Sequence, residues 1–158
     1  MGLDMRLIAN HCIPKYDYNE SGDRLITPAY KKFTELYPMA RTPDELFPAS
    51  GIQVNWVVAS WRGAWAIHDW FLSELRFDDD EVLDGVPVEW SAIGRLYALC
   101  TKLYLSKNED VAADELPNFR GSIDDNYWQD IKRTGEQLKW VLDNPLMGET
   151  VLEYQASW

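Results

Sequence analysis

The sequence has few of the features that are typical of metal-binding, membrane-spanning or secreted proteins. It has only two cysteines, Cys12 and Cys100, and they lack the spacing of a metal site even with His11 beside the first. No apolar run approaches the roughly 20 residues that a spanning helix needs. The start of the chain lacks the basic and then apolar stretch of a signal peptide. We therefore expect two buried, reduced thiols in a soluble cytoplasmic protein with no membrane partner.

Basic residues are also scarce. Lysine and arginine number 15 against 26 aspartates and glutamates, which gives a net charge of −11. Such a chain repels nucleic acid and offers no basic stripe for phosphate contacts, so direct binding of nucleic acid is not expected. An acidic surface suits a basic protein partner, and it equally serves solubility.

The hydrophobic pattern predicts one α+β domain over residues 1–158, with three long helices, short helices and a small antiparallel sheet. The length is typical of one domain, and 46% of the residues are hydrophobic. Residues 3–9 and 151–158 both alternate between apolar and polar side chains, which is typical of strands. We expect these terminal strands to pair and to form the sheet.

Between the termini the spacing becomes helical. A threonine followed by proline predicts short helices that start at Thr27 and at Thr42. A tryptophan-rich central helix is predicted over about 50–76, and its apolar residues cover more than one face, as in the spine of a core. Two further long helices are predicted over about 88–105 and 122–143. The polar segments 16–22, 78–87 and 107–118 are predicted to be loops.

No established catalytic, metal or cofactor motif is present. The acidic run that starts at Asp78 fails as a calcium loop, because Leu83 stands where the turn needs glycine. Glycine-rich phosphate loops and the HExxH motif are absent as well. We therefore assign no catalytic residue, no metal ligand and no cofactor.

His68 is the one histidine inside a predicted regular element. It shares a helical face with Trp61 and Trp65, where an imidazole could act as a general base. The same position is typical of a core-edge histidine with one hydrogen bond, which is the interpretation we favour. Nearby, Arg62 could hold an anionic ligand and Asp69 a donor. The two could equally form an ion pair across two turns or bond to other helices, and we favour this structural interpretation.

Aromatic residues make up 13% of the chain, and some could line a pocket that stacks on a nucleobase. Large aromatics at helical spacing are more often core. If Asp4, Arg62, His68 and Tyr127 converge on one concavity, a ligand site is favoured; if they are buried and mutually bonded, they are architecture. The complete set of ligand-binding candidates is Asp4, Trp61, Arg62, Trp65, His68, Tyr127 and Trp128.

Five segments, in order along nearly the whole chain, resemble a family of small uncharacterised proteins of bacteriophages and prophages. They are residues 1–5 (MGLDM), 61–62 (WR), 67–71 (IHDWF), 127–130 (YWQD) and 154–158 (YQASW). The family carries lysine and asparagine where Gly63 and Trp65 stand here, so a ligand of its relatives could differ or be lost. The resemblance implies no activity. It implies a phage accessory protein in the cytoplasm of a bacterial host cell.

Three hypotheses follow. The leading one is a non-enzymatic phage accessory protein that binds a host component and inhibits an antiviral defence or another host process. The second is a small-molecule, nucleotide-type binding protein that uses an aromatic pocket with Arg62 and His68. The third is a small hydrolase that uses His68 with a carboxylate.

Overall fold

The computed structural model describes residues 2–40, 51–78, 81–144 and 150–158. The chain divides into two compact units, Met1–Ala9 with Trp56–Trp158 (unit 1) and Asn10–Asn55 (unit 2). Whether the chain is one domain stays a prediction. The elements in chain order are β1 (Asp4–Pro14), β2 (Tyr16–Tyr18), β3 (Arg24–Ile26), α1 (Pro28–Leu36), β4 (Gly51–Arg62), α2 (Trp65–Leu75), β5 (Val86–Val88), α3 (Trp90–Ser106), α4 (Glu109–Glu115), α5 (Asp125–Asp143) and β6 (Val151–Ser157).

The predicted α+β class and the pairing of the terminal strands are confirmed. Strands β4, β1, β6 and β5 form, in that order, an antiparallel sheet in which the N- and C-terminal strands are neighbours. Successive side chains of a strand point to opposite faces, so the alternating apolar residues share one face. That face is buried in both strands: Leu3, Met5, Leu7, Ala9, Leu152, Tyr154 and Ala156.

The predicted central helix over 50–76 is wrong in its first half. Gly51–Arg62 forms strand β4, and the helix α2 begins only at Trp65. The β-branched and aromatic residues Ile52, Val54 and Trp56 are half-buried and alternate with exposed neighbours, which is the period of a strand. Gly63 adopts φ +69° directly after the strand, a conformation that glycine reaches without steric cost.

Helix α1 is confirmed at its predicted start, and the other two long helices are confirmed with shifted starts. Thr27 caps α1, and its hydroxyl oxygen accepts the N–H of Tyr30 at 3.2 Å. Helix α3 begins at Trp90 instead of 88, because Val88 pairs with Leu152 in the sheet. Helix α5 begins at 125, with Asp124 as its cap. The start predicted at Thr42 lies outside the described residues.

All three predicted loops contain some regular structure. The segment 16–22 enters a hairpin in which β2 pairs antiparallel with β3, and its three-residue strands are too short to show a period. The segment 107–118 contains α4, a single polar helix of seven residues capped by the side chain of Asn108. The loop predicted over 78–87 holds a 3₁₀ turn, Glu81–Leu83, and the first residues of β5; positions 79 and 80 are outside the described part.

Unit 1 contains a continuous apolar core. Helices α3 and α5 pack against each other, and a Cβ added at Gly135 would lie 3.7 Å from the Cβ of Cys100. The ring of Phe71 on α2 stacks on Tyr154 of β6 with centroids 4.1 Å apart. No helix among the described residues is long and apolar enough to cross a membrane.

In unit 2, only three described residues are buried: Lys15, Thr27 and Tyr30. The Lys15 ammonium lies 5.7 Å from the ring centroid of Tyr30 and 5.5 Å from that of Tyr16. The N–H of Thr27 donates to the carbonyl of Lys15 at 3.0 Å, so the buried residues are joined by polar contacts.

The prediction that both thiols are buried is half wrong. Cys100 is buried between α3 and α5, but Cys12 is exposed. Cys12 lies at an even position of β1, and the buried residues of that strand occupy the odd positions 5, 7 and 9. Strand alternation therefore turns its side chain away from the core.

Candidate functional site

Asp4 and Arg62 meet each other at the surface. The Nε atom of Arg62, at the end of β4, lies 3.7 Å from Oδ1 of Asp4, at the start of β1, and both side chains are more than half exposed. The strand ends are held together by the N–H of Gly63, which donates to the carbonyl of Leu3 at 2.8 Å. Such an exposed pair contributes little to stability. Asp4, Arg62 and His68 are absent from the linings of the four cavities found among the described residues.

His68 is part of the core of unit 1. Its side chain is fully buried, and its Nδ1 atom lies 2.7 Å from the hydroxyl of Tyr154. The ring edges of Trp65 and Trp158 enclose it at centroid distances of 5.8 and 6.2 Å. This is the structural histidine that the favoured interpretation describes, although it lies deeper than the core edge.

Trp61 and Trp128 are also core residues. The indole N–H of Trp61 donates to the hydroxyl of Thr134 at 2.8 Å, which satisfies its polar atom inside the core. Trp128 is nine-tenths buried, and its ring lies edge-on to that of Tyr127 at 5.1 Å. Neither side chain lines one of the four cavities found among the described residues.

Trp65 and Tyr127 are the two candidates that the structure brings together. Both line a cavity of about 220 Å³ in unit 1, between the start of α2 and the start of α5, which we call the α2–α5 cavity. The other five candidates do not line it. Its remaining polar lining comes from the segment before α5 and from its first turns: Asn118, Arg120, Ser122, Asp124, Asn126 and Asp130.

The side chain of Arg120 lies over the indole ring of Trp65. Its guanidinium carbon lies 4.2 Å from the centroid of the indole ring, well within the range of a cation–π contact. One face of Trp65 is therefore covered by a cation and is not open to a nucleobase. A ligand in the cavity would contact this cation–aromatic pair.

The two carboxylates of the cavity differ in their protonation behaviour. Asp124 accepts the N–H groups of Tyr127 and Asn126 at 3.1 and 3.0 Å, and the Ser122 hydroxyl at 3.1 Å. These hydrogen bonds, that from Tyr127 first, lower the pKa of Asp124. Asp130 is half-buried, and burial raises its pKa, against the opposing effect of Arg133. The cavity thus pairs a carboxylate that stays ionised with one for which protonation is easier.

Tyr127 lines the cavity with an uncharged side chain. Its hydroxyl donates to the carbonyl of Leu116 at 2.9 Å, and burial raises its pKa to about 12. It therefore stays protonated in neutral solution. Together with Arg120 and Asp130 it provides a lining that can bind a small polar molecule through donors, acceptors and one cation.

Arg120, Asn118 and Asp130 escaped the sequence-based prediction. The first two lie in a connection with no periodicity, so nothing in their spacing relates them to Trp65. Asp130 does carry a signal, because it stands one helical turn after Tyr127 and shares its face. Within the described residues, no group of three or more His, Cys, Asp or Glu side chains could hold a metal ion.

Comparison with known proteins gives no relative: no protein family, no curated protein and no solved structure matches the chain.

Proposed function

We propose that the chain is a non-enzymatic accessory protein of a bacteriophage that binds a basic component of the host cytoplasm and inhibits a defence or another host process. The observation that carries this proposal is the distribution of charge. Unit 1 holds 20 acidic and 10 basic residues, a net charge of −10, whereas unit 2 holds 6 and 5, a net charge of −1. A concentrated charge of one sign attracts partners of the other sign and speeds their association.

Exposed aromatic side chains on unit 1 support the same proposal. Phe119 is 79% exposed, Trp140 on α5 is 54% exposed, and Trp158 is 43% exposed. Aromatic residues are enriched at protein interfaces and among the residues that dominate binding energy. Aromatics on an acidic surface suit a partner with cationic side chains.

The contacts of the polar candidates favour binding over hydrolysis. His68 is enclosed by aromatic rings and bonded to Tyr154, and Arg62 pairs with Asp4 at the surface. A general base must come within hydrogen-bond reach of its substrate, which the enclosure of His68 does not provide. The phage origin is supported by the family resemblance of the five segments.

The test is capture from a bacterial lysate by the immobilised full chain at about 0.05 M and 0.5 M salt. We expect one basic protein in stoichiometric amount at low salt and its release at high salt, because screening shortens the reach of surface charges. The matched variant carries Glu109→Gln, Asp110→Asn and Asp114→Asn on the exposed face of α4 and should retain less. Recovery of no stoichiometric partner would contradict the proposal.

A second candidate function is binding of a small polar molecule in the α2–α5 cavity. It is favoured by the convergence of Trp65 and Tyr127 with Arg120 and Asp130 on one cavity. At about 220 Å³ the cavity is smaller than the roughly 300–1,000 Å³ of sites for drug-sized ligands, so a base or a sugar fits its size better than a whole nucleotide.

A thermal-shift screen over nucleobases, nucleosides and nucleotides tests this second candidate. A ligand that binds the folded state raises the Tm by mass action. The shift should disappear in Arg120→Gln and persist in Arg6→Gln, which changes an exposed arginine that does not line the cavity. No shift with any compound removes this candidate.

A further inference from the structure

A second concavity of unit 1, of about 220 Å³, lies beside α2 and is separate from the α2–α5 cavity in most of its lining. One wall is a single face of α2, formed by Ala66, Asp69, Trp70 and Ser73 at the spacing i, i+3, i+4, i+7. The other wall is the end of α4 and the chain that follows it: Glu115, Leu116, Pro117 and Phe119. We call it the α2 groove.

The middle of the α2 groove is aromatic and apolar. Trp70 is half-buried and lies edge-on against Phe71 with ring centroids 5.3 Å apart. Phe119 on the facing wall is 79% exposed, although a phenyl ring gains by leaving water. Leu116 is buried beneath them and closes the floor. A groove of this kind binds the apolar stem of a long side chain.

The two walls each carry a carboxylate. Asp69 stands beside Trp70 on α2 with its Oδ2 atom buried, and Glu115, the last residue of α4, is exposed. Negative charge together with aromatic faces is the combination that attracts a cation, because an aromatic ring is negative on its face. Unit 1 as a whole adds its net charge of −10 to this local field.

We propose that the α2 groove receives an arginine side chain from the basic partner. This inference rests on the proposed function for the existence of a basic partner, and it adds the place and the chemistry of contact. Arginine fits better than lysine, because its planar guanidinium stacks on aromatic rings and binds carboxylates in a fixed fork geometry. The volume suits one side chain and is too small for a cofactor.

One cation of the chain already competes for the groove. Lys102 of α3 forms an ion pair with Glu115, and the lysine side chain is more than half exposed. Exposed ion pairs of this kind contribute little, so an incoming guanidinium can displace the lysine ammonium from the carboxylate. The variant Lys102→Met should therefore bind the probe described below more tightly than the wild type does.

The test uses a short probe in place of the unidentified partner. The acetylated and amidated tripeptide Gly-Arg-Gly is titrated into the ¹⁵N-labelled full chain, with Gly-citrulline-Gly as the isosteric neutral probe. We expect a saturable shift of the Trp70 indole signal with the arginine peptide, and about fivefold or more weaker binding of the citrulline peptide. Equal binding of both peptides, or no shift at Trp70, would overturn the proposal.

Two matched pairs of variants locate the probe. Phe119→Ala and Asp69→Asn should weaken binding of the arginine peptide severalfold. Tyr37→Ala, which removes an exposed aromatic of unit 2, and Glu20→Gln, which removes an exposed charge of unit 2, should leave it unchanged. The exposure of Phe119 makes its variant safe for folding, and the ¹⁵N spectrum verifies this. Equal effects of Phe119→Ala and Tyr37→Ala would also overturn the proposal.

The lysate experiment separates this inference from the proposed function. If a basic protein is captured and Phe119→Ala captures it equally well, the groove is not the contact site, and the proposed function stands. If no protein is captured, the proposed function fails, while the peptide titration still decides whether the groove binds arginine.

Discussion

Units 1 and 2 differ in what they bury and in what they expose. Unit 1 has a core that runs from the sheet through α2, α3 and α5, whereas unit 2 buries three of its described residues, and one of these is a lysine. Within the described part of unit 2, several large apolar side chains are more than half exposed: Tyr18, Leu25, Ile26, Leu36, Tyr37 and Met39. Apolar burial is the main favourable contribution to folding, so the stability of the protein resides mainly in unit 1.

The composition of the units differs in the same direction. All eight tryptophans lie in unit 1, and so does nearly all of the net charge. A well-packed scaffold can hold aromatic side chains and carboxylates in fixed positions at its surface, as a binding site requires. The difference teaches that the stable unit also carries the surface that we propose for binding.

The largest expected difference between the units is in thiol reactivity. Burial raises the pKa of Cys100 in unit 1 to about 12, while Cys12 in unit 2 is exposed. Iodoacetamide should alkylate the exposed Cys12 in the folded protein and Cys100 at least about a thousandfold more slowly, since Cys100 must wait for unfolding. Mass spectrometry of peptides over time measures both rates. Similar rates would contradict a compact unit 1.

One leucine from each unit tests how much each unit contributes to the free energy of unfolding. Leu138 on α5 is fully buried, and Leu36 on α1 is 68% exposed. Leu138→Ala should lower the free energy of unfolding by about 2–5 kcal/mol, because it loses apolar burial and leaves a cavity. Leu36→Ala should change it by less than about 0.5 kcal/mol. Urea unfolding measures both; equal losses would refute the assignment of stability to unit 1.

Matched tyrosines test the role of His68. Tyr154→Phe removes the hydroxyl 2.7 Å from Nδ1 of the buried imidazole and should cost about 1–3 kcal/mol of unfolding free energy. Tyr37→Phe, at an exposed position of unit 2, should cost almost nothing. A neutral effect of Tyr154→Phe in denaturant unfolding would show that this hydrogen bond does not hold the core together.

The smallest effect concerns the cap of α5. The pKa of Asp124 is lowered in the folded protein, mainly by the N–H of Tyr127, so its charge stabilises folding above the ordinary carboxyl pKa. This contribution is lost as the pH falls through the lowered pKa, below about pH 4. The wild type should therefore exceed Asp124→Asn in Tm at pH 7, and the gap should close in acid. Parallel Tm curves down to pH 2 would contradict this.

Sequence patterns predicted the parts of the fold that are long and strictly periodic. The terminal strands and α5 each hold many apolar residues at the spacing of one kind of secondary structure. Their assignment as strand or helix is therefore clear from the sequence. Strand β4 was mistaken for helix because it runs into α2 after only two residues and its tryptophans also fit a helical stripe. The hairpin β2–β3 and α4 have too few residues to show a period.

The candidate site could be predicted only in part. Trp65 and Tyr127 were found because large aromatics are visible in any sequence, and the structure places both on one cavity. Arg120 and Phe119 lie in an irregular connection, and their neighbours are set by how α4 and α5 are joined. Such contacts between distant segments leave no pattern in one sequence.

The most direct test of the account compares one exposed apolar residue from each unit. Phe119 of unit 1 and Met39 of unit 2, which is 99% exposed, are changed to alanine, and capture of the host protein by each full chain is measured against the wild type. The account predicts that Phe119→Ala loses most of the captured protein and that Met39→Ala retains it. Loss with Met39→Ala and full capture with Phe119→Ala would contradict it.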